Sequence, residues 1–324
     1  MKTKILRILK NTKDYVSGQE LCQQLGVSRT AVWKVMQQLK EEGYVIDAVN
    51  NRGYVLSHCP DDITSWEIGS QLKGKSMFQE IHYLPSVDST NNYARLLSEQ
   101  SSNEGIVVVT DLQTAGKGRR GRTWLSPSKE NIMMSFVLRP TIEPMKASML
   151  TLVAAMAVKD AIQKQGIDTV IKWPNDLVVD QKKICGILTE MSSQMDYINY
   201  VVIGIGINVH QKAFDDEISS MATSLDLAKG AFVRRSEVIA DILTAFEKYY
   251  QLFLQTEDLS LLKDAYNKNL VNIGKEVQII SAKEIKEGIS GGIDDDGSLI
   301  VTIDGKTEHI ISGEVSIRGL YGYV

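Results

Sequence analysis

The spacing of apolar residues changes twice along this 324-residue chain, and these changes constrain its fold more than any other feature. A helical repeat dominates the first 43 residues, strand-like and helical patterns fill the middle, and short strands with tight turns follow residue 270. The middle patterns come in blocks and hairpins and do not alternate strictly between strand and helix. This arrangement favours an α+β fold with a mixed sheet. We therefore predict three domains, at 1–65, 66–269 and 270–324.

Charge is distributed unevenly between these parts. Residues 1–57 contain nine Lys or Arg against five Asp or Glu, whereas the whole chain has a net charge of −4, so the remainder carries −8. A basic module on an acidic body indicates that only the first part meets nucleic acid.

Composition also excludes several classes of protein. Three scattered cysteines without a CxxC motif do not make a disulfide framework, and four separated histidines do not make a zinc site. The N-terminal residues are too charged for a signal peptide, and no stretch approaches the roughly 18 apolar residues of a membrane span. We expect a cytoplasmic protein with no membrane partner and no structural metal.

The first 57 residues follow a pattern of three helices and a hairpin. Ser17 and Ser28 are predicted N-caps, Gly26 makes a turn between two helices, and a hairpin turns around 50–53. This is the plan of a winged helix-turn-helix, in which the start of the helix after the turn enters the major groove. A packing module with an ordinary charged surface is the alternative, and the pattern leaves Trp33 ambiguous between core and surface. The residues that we expect to contact DNA are Ser28, Arg29, Thr30, Lys34 and Arg52.

A run rich in glycine and arginine, GKGRRGR at 116–122, separates two predicted strands. Glycines let the backbone fold closely around a ligand, and the four cations supply donors for phosphate or carboxylate. The run is not a P-loop, since GxxxxGK[ST] is absent. An RGG-like nucleic-acid tract is the alternative, but a short run between two strands favours a loop that closes over a ligand.

Three further runs carry candidate chemistry. KWPND at 172–176 places a lysine, an amide and a carboxylate where they can serve a nucleotide and Mg²⁺, although the run alone is also compatible with a surface turn. KKICGIL at 182–188 begins with two cations and continues as a buried strand. GIGIN at 204–208 resembles part of a dinucleotide fingerprint, but the third glycine position holds Val209, so we reject that interpretation.

Together with DSTN at 88–91, these runs resemble biotin–protein ligases in order and spacing, over essentially the whole chain. The N-terminal helix-turn-helix makes the chain similar to the bifunctional form, which is also the biotin operon repressor. The resemblance implies a central domain of the class II synthetase-like type and a C-terminal barrel of the SH3-like type. One departure is Lys117, where the family usually has arginine; lysine keeps the charge but loses the bidentate fork.

The resemblance also implies roles for individual residues. Lys183 and Arg119 are the catalytic candidates, with Lys183 between the biotin carboxylate and the α-phosphate. The implied biotin-binding residues are Ser89, Thr90, Asn91, Gln113, Gly116, Lys117, Gly118, Arg119 and Lys183. The implied ATP-binding residues are Arg119, Arg122, Trp124, Lys172, Asn175, Asp176 and Asn208, with Asp176 as the candidate Mg²⁺ ligand. For Trp124 the alternative is plain packing, and for Asn208 it is a turn at a strand end.

The implied activity uses ATP and Mg²⁺ to convert biotin to biotinyl-5′-AMP and then biotinylates a lysine of a biotin carboxyl carrier protein. Biotinyl-5′-AMP is also the implied corepressor, which promotes a homodimer on operator DNA. A lipoate–protein ligase is the nearest enzymatic alternative, and a repressor that senses its ligand without turnover is the alternative from another class. A tRNA synthetase is disfavoured, because no anticodon-reading appendage is apparent.

Overall fold

The structure of the protein is a computed structural model that describes residues 1–124, 126–281, 284–312 and 315–319. The predicted C-terminal domain also includes 282–283, 313–314 and 320–324, which lie outside the described residues. Among the helices that are described, none combines the length and the apolar character needed to cross a membrane.

The N-terminal part contains three helices and a two-stranded hairpin, as predicted. The elements are α1 (Lys2–Asn11), α2 (Gly18–Leu25), α3 (Arg29–Glu41), β1 (Val45–Val49) and β2 (Gly53–His58). Ser17 and Ser28 cap α2 and α3, since their side chains accept hydrogen bonds from the amides of Glu20 and Ala31. Gly26 ends α2 with a left-handed conformation, which lets the chain turn into α3.

The central part is built around a seven-stranded sheet that also confirms the predicted mixed topology. Its strands are β3 (Glu80–Leu84), β4 (Ile106–Thr110), β5 (Asn131–Leu138), β6 (Val170–Lys172), β7 (Asp176–Val179), β8 (Lys182–Ser193) and β9 (Ile198–Asn208). They lie in the order β3-β4-β5-β9-β8-β7-β6, and only β3 and β4 pair in parallel among the described strands. The helices are α4 (Ser65–Gln71), α5 (Thr90–Gln100), α6 (Leu150–Lys164), α7 (Leu225–Lys229), α8 (Arg235–Thr256) and α9 (Lys263–Lys268).

Both faces of this sheet are covered by helices. Val107 and Val109 of β4 join the large core that includes α6 and α8, whereas Ile106 and Val108 pack with Ala94 of α5 on the other face. Successive side chains of a strand point to opposite faces, so a strand covered on both faces is apolar throughout. This explains the unbroken apolar pattern IVVV at 106–109.

The C-terminal part is a five-stranded antiparallel sheet, which confirms the predicted all-β unit. Its strands are β10 (Glu276–Ile280), β11 (Ile285–Ile293), β12 (Leu299–Ile303), β13 (Lys306–Ile310) and β14 (Ser316–Gly319). They lie in the order β13-β12-β11-β10-β14. The indole N–H of Trp173, in the turn between β6 and β7, donates to the carbonyl of Gly297 at 3.0 Å and ties this sheet to the central one.

Candidate functional site

A cavity opens between the start of α5, the loop after β4 and the middle of β8 and β9. It brings together most of the predicted ligand-binding residues from segments far apart in sequence. The residues that line it are Ser89, Thr90, Asn91, Gln113, Lys117, Gly118, Arg119, Trp124, Met134, Asn175, Lys183, Gly186, Ile187, Leu188, Gly204, Ile205 and Gly206.

One end of the cavity is a buried network of hydroxyls and amides. Gln113 Oε1 accepts hydrogen bonds from the Thr90 amide at 2.8 Å and from the Thr90 hydroxyl at 3.0 Å. Ser135 Oγ lies 2.7 Å from Thr90 Oγ1 and 2.6 Å from Asn91 Oδ1. Ser89 is also buried, and its side chain makes no helix-capping bond. This end therefore offers both donors and acceptors to a polar ring.

The glycine- and arginine-rich loop folds back on itself beside the cavity. The amide of Gly118 donates to the carbonyl of Arg122 at 2.7 Å, and the amide of Trp124 donates to the carbonyl of Gly116 at 2.9 Å. Arg119 lines the cavity, whereas Arg120 and Arg122 are exposed. This folded-back geometry beside the cavity favours the predicted ligand loop over an RGG-like tract.

The other end of the cavity is cationic. Arg119 Nη1 donates to Asn175 Oδ1 at 2.9 Å, and its Nη2 donates to the carbonyl of Ser312. Lys183 Nζ lies 2.6 Å from Asp176 Oδ1 and 5.7 Å from the centre of a Trp124 ring. Burial lowers the pKa of Arg119, but a guanidinium remains charged at neutral pH. This end can therefore attract carboxylate and phosphate oxygens at the same time.

Lys172, the last residue of β6, is only 5% exposed. Its burial lowers the pKa of the ammonium to about 8, against the opposing effect of the Asp176 carboxylate. The turn that follows it contains buried Trp173 and Pro174. KWPND is thus an interior turn that fixes Asn175 and Asp176, and the surface-turn alternative is wrong.

The two glycines of β9 let the network and the loop approach the sheet. A Cβ atom on Gly204 would lie 2.2 Å from Asn91 Oδ1, and one on Gly206 would lie 2.6 Å from the Trp124 ring. Neither distance is sterically possible without a shift of the neighbour. The glycines of GIGIN therefore serve close packing within a strand, in agreement with our rejection of a dinucleotide fingerprint.

Several predicted ligand residues do not line the cavity. Gly116 is a buried residue of the loop, Arg122 is exposed, Lys172 is buried, and Asp176 forms an ion pair with Lys183. Asn208 donates to the carbonyl of Thr223 at 3.1 Å, which matches the strand-end alternative.

Sequence reasoning missed two polar residues of the network. Ser135 joins Thr90 to Asn91, and Glu190 accepts a hydrogen bond from Asn91 Nδ2 at 2.6 Å. Ser135 was detectable, because it is a polar residue inside the apolar run at 132–138.

The predicted DNA-binding residues lie at the start of α3 and in the turn of the hairpin. Arg29, Thr30 and Lys34 are exposed, whereas the Ser28 hydroxyl caps the helix. Arg52, at the hairpin, stacks at 4.4 Å over the Tyr15 ring and lies 3.4 Å from Asp14, with 59% of its side chain exposed.

Three family models match successive parts of the chain. The HTH domain matches residues 2–55, the biotin/lipoate A/B protein ligase family matches 83–208, and the biotin protein ligase C-terminal domain matches 273–318. Fold and site thus define a protein ligase of the biotin and lipoate class with an attached helix-turn-helix domain.

Relatives narrow this class. The chain is 39% identical to the bifunctional ligase/repressor BirA of Bacillus subtilis over 94% of both chains. It is 32% identical to the protein of that name from Escherichia coli, over 97% of this chain and 96% of that protein. The chain therefore belongs to the family of bifunctional biotin ligase/repressors, as the resemblance in its motifs predicted.

A solved structure agrees with this assignment. The biotin protein ligase from Aquifex aeolicus, in complex with biotin and ATP, is 30% identical and superposes with a TM-score of 0.66. The match covers 75% of this chain and 100% of that one.

Proposed function

We propose that the protein activates biotin with ATP, transfers it to a lysine of a carrier protein, and represses transcription through its N-terminal domain. The observation that carries the ligase half is the polarity of the cavity. A buried hydroxyl and amide network forms one end, and Arg119 and Lys183 form the other. A ligand with a polar ring and a carboxylate tail fits this arrangement.

The polar end distinguishes biotin from lipoate. The cyclic urea of biotin both donates and accepts hydrogen bonds, and Ser89, Thr90, Asn91 and Gln113 can supply the partners. The dithiolane ring of lipoate has no N–H or carbonyl group to bond with this network, so it would remove these polar groups from water without a compensating hydrogen bond, which costs binding free energy. We propose that Gly116, Lys117 and Gly118 form the loop wall beside the same ligand.

At the cationic end the ligand carboxylate attacks the α-phosphorus of ATP. An anhydride bond forms, the bond to the β-phosphate oxygen breaks, and pyrophosphate leaves. Lys183 lies where it can reduce the repulsion between carboxylate and phosphate and stabilise the charge of the displacement. The proposed nucleotide-binding residues are Arg119, Arg122, Trp124, Lys172, Asn175 and Asn208. Arg122, Lys172 and Asn208 do not line the cavity, so direct contact with the nucleotide requires a shift of their side chains.

Asp176 is the proposed ligand of the Mg²⁺ that accompanies ATP. Mg²⁺ is commonly held by one or two carboxylates together with phosphate oxygens, and Asp176 supplies a carboxylate next to Lys183. Among the described residues no cluster of three or more His, Cys, Asp or Glu suits a metal ion by itself. Asp176 therefore fits a metal that arrives with the nucleotide.

In the second step the amine of the acceptor lysine attacks the anhydride carbonyl. An amide forms, AMP leaves, and the amine loses a proton. Activation makes a poor electrophile reactive first, and the loop around Arg119 shields the anhydride from water.

Transfer is tested by incubating the chain with ATP and a recombinant biotin carboxyl carrier domain, with either biotin or lipoate present. Mass spectrometry of the carrier should show the mass of one biotinyl group on a lysine and no lipoyl group. An equal yield of lipoylated carrier would contradict the assignment of the polar end.

The repressor half is proposed to depend on a dimer. One helix-turn-helix offers few base contacts, so tight operator binding needs two copies on adjacent half-sites. We propose that biotinyl-5′-AMP orders the Arg119 loop, promotes the homodimer and so acts as corepressor. The carrier protein would compete with the second copy for the adenylate-bound form.

Sedimentation and operator titration test this coupling. Biotinyl-5′-AMP should shift the chain from monomer to dimer and raise operator affinity in parallel, and an added carrier domain should reverse the shift. If the adenylate leaves both equilibria unchanged, the N-terminal domain responds to a different signal.

A further inference from the structure

One large apolar side chain on α3 points away from the core of its domain. The buried cluster of the N-terminal part contains Val32, Val35, Met36 and Leu39 from this helix. Trp33 is 54% exposed and lies outside that cluster. The side chain that the periodicity left ambiguous is therefore a surface residue.

The position of Trp33 on the helix relates it to the DNA-facing residues. Residues three and four apart share a face of an α-helix. Trp33 follows Arg29 by four residues and Thr30 by three, and it precedes Gln37 by four. Its indole thus lies beside the two side chains at the start of the helix that enters the groove.

The exposed residues near Trp33 indicate which kind of molecule its side chain contacts. Arg29 and Lys34 are exposed cations on the same helix, so this surface attracts a polyanion. An apolar ring held in the major groove has one apolar group to contact, which is the 5-methyl group of thymine. Removal of both groups from water is favourable, as for any apolar contact.

We infer that Trp33 reads thymine in the operator by contact of its indole with the thymine methyl group. This inference rests on the proposed binding of DNA by the N-terminal domain. It adds a residue that selects sequence, whereas lysine and arginine contacts with phosphate only position the protein.

The experiment begins with an in vitro selection of DNA by the wild-type protein. Duplexes that the wild-type chain with biotinyl-5′-AMP selects from a randomised pool serve as the probe. Each thymine of the selected duplex is then replaced by deoxyuridine, which removes the methyl group alone. Affinities are compared at one salt concentration, because phosphate contacts make binding strongly salt-dependent.

For the wild type, deoxyuridine at one position in each half-site should weaken binding about fourfold, the effect of one buried group of methyl size. Trp33→Ala should weaken binding to the thymine duplex, and deoxyuridine at that position should then have no further effect. Trp33→Phe should recover part of the sensitivity to the methyl group. Val45→Ala, which alters another exposed apolar residue of the same domain, is the control and should bind as the wild type does.

Two results would overturn the inference. In the first, Trp33→Ala binds the thymine duplex as tightly as the wild type does. In the second, deoxyuridine substitution weakens DNA binding by Trp33→Ala as much as it weakens binding by the wild type. Thermal melting of the variant checks that a loss of binding is not a loss of fold. If the wild type selects no sequence at all, the DNA-binding proposal fails first and this inference fails with it.

Discussion

Arg235 Nε donates a 2.6 Å hydrogen bond to Asp61 Oδ2, although 174 residues separate the two in sequence. The same guanidinium donates from Nη1 to Asp111 at 2.9 Å, and the side chain is 2% exposed. Asp111 follows β4 and precedes Gln113 by two residues. One buried arginine therefore holds the segment after the hairpin against the start of the ligand loop.

Asp61→Asn should lower the free energy of unfolding by about 2–3 kcal/mol, because the Arg235 charge stays buried with less compensation. Urea denaturation measures the change. Asp241→Asn is the matched control, since its ion pair with Lys164 lies at the surface, and it should change stability by less than about 1 kcal/mol. If both variants lose the same free energy of unfolding, the buried ion pair stabilises the fold no more than the surface pair does.

His210 should make stability depend on pH. Burial alone would lower the pKa of its imidazole, but hydrogen bonds to Asp61 and Asp226 outweigh burial and raise it. The charged form is thus favoured in the folded state. Its stabilisation is complete below the unfolded pKa of about 6.5 and is lost as the pH rises through the higher folded pKa.

His210→Gln removes the titratable imidazole and tests this pH dependence. Its loss of stability relative to the wild type should be larger at about pH 5.5 than at about pH 9. Urea denaturation of both proteins across this range measures the difference. A loss that is the same at both ends of the range would rule out a charged His210 in the folded protein.

Lys183→Ala should slow adenylate formation by about 100-fold or more with little change in fold, because the charge is needed mainly in the transition state. Single-turnover formation of biotinyl-5′-AMP measures the effect. Lys182→Ala removes an exposed neighbouring charge and should retain the wild-type rate. If both variants behave like the wild type, Lys183 has no catalytic role.

Gly204→Ala should weaken biotin binding. The new Cβ would lie only 2.2 Å from Asn91 Oδ1, so the Asn91 side chain would have to move and the polar network would be disturbed. Isothermal titration with biotin measures the affinity. Gly18→Ala, whose Cβ would meet its nearest atom at an ordinary 3.6 Å, is the control and should bind biotin normally. Unchanged affinity in Gly204→Ala would remove Asn91 from the binding network.

Local signals in the sequence predicted the local structure well. Ser17 and Ser28 each cap a helix by accepting a hydrogen bond from an amide three residues further along the chain. The apolar blocks of the middle part correspond to strands of the central sheet. The cavity needed the family resemblance, because its two ends come from segments far apart in the chain.

What the sequence did not reveal depends on long-range contacts. Residues 58–65 look like a polar connector, yet Asp61 within them is clamped by Arg235 and His210. The partners of Asp61 lie about 150 to 174 positions away, where no spacing rule applies. Likewise, nothing local to Arg122 or Asn208 indicates that their side chains point away from the cavity.

The central claim is that this cavity activates biotin by adenylation. Biotin-dependent exchange of labelled pyrophosphate into ATP by the purified chain tests it most directly, because exchange requires reversible formation of the adenylate and needs no carrier protein. We expect exchange that requires biotin, is not supported by lipoate, and falls sharply in Lys183→Ala but not in Lys182→Ala. A chain that binds biotin and ATP but exchanges no pyrophosphate would contradict the account and leave a repressor that senses its ligand without turnover.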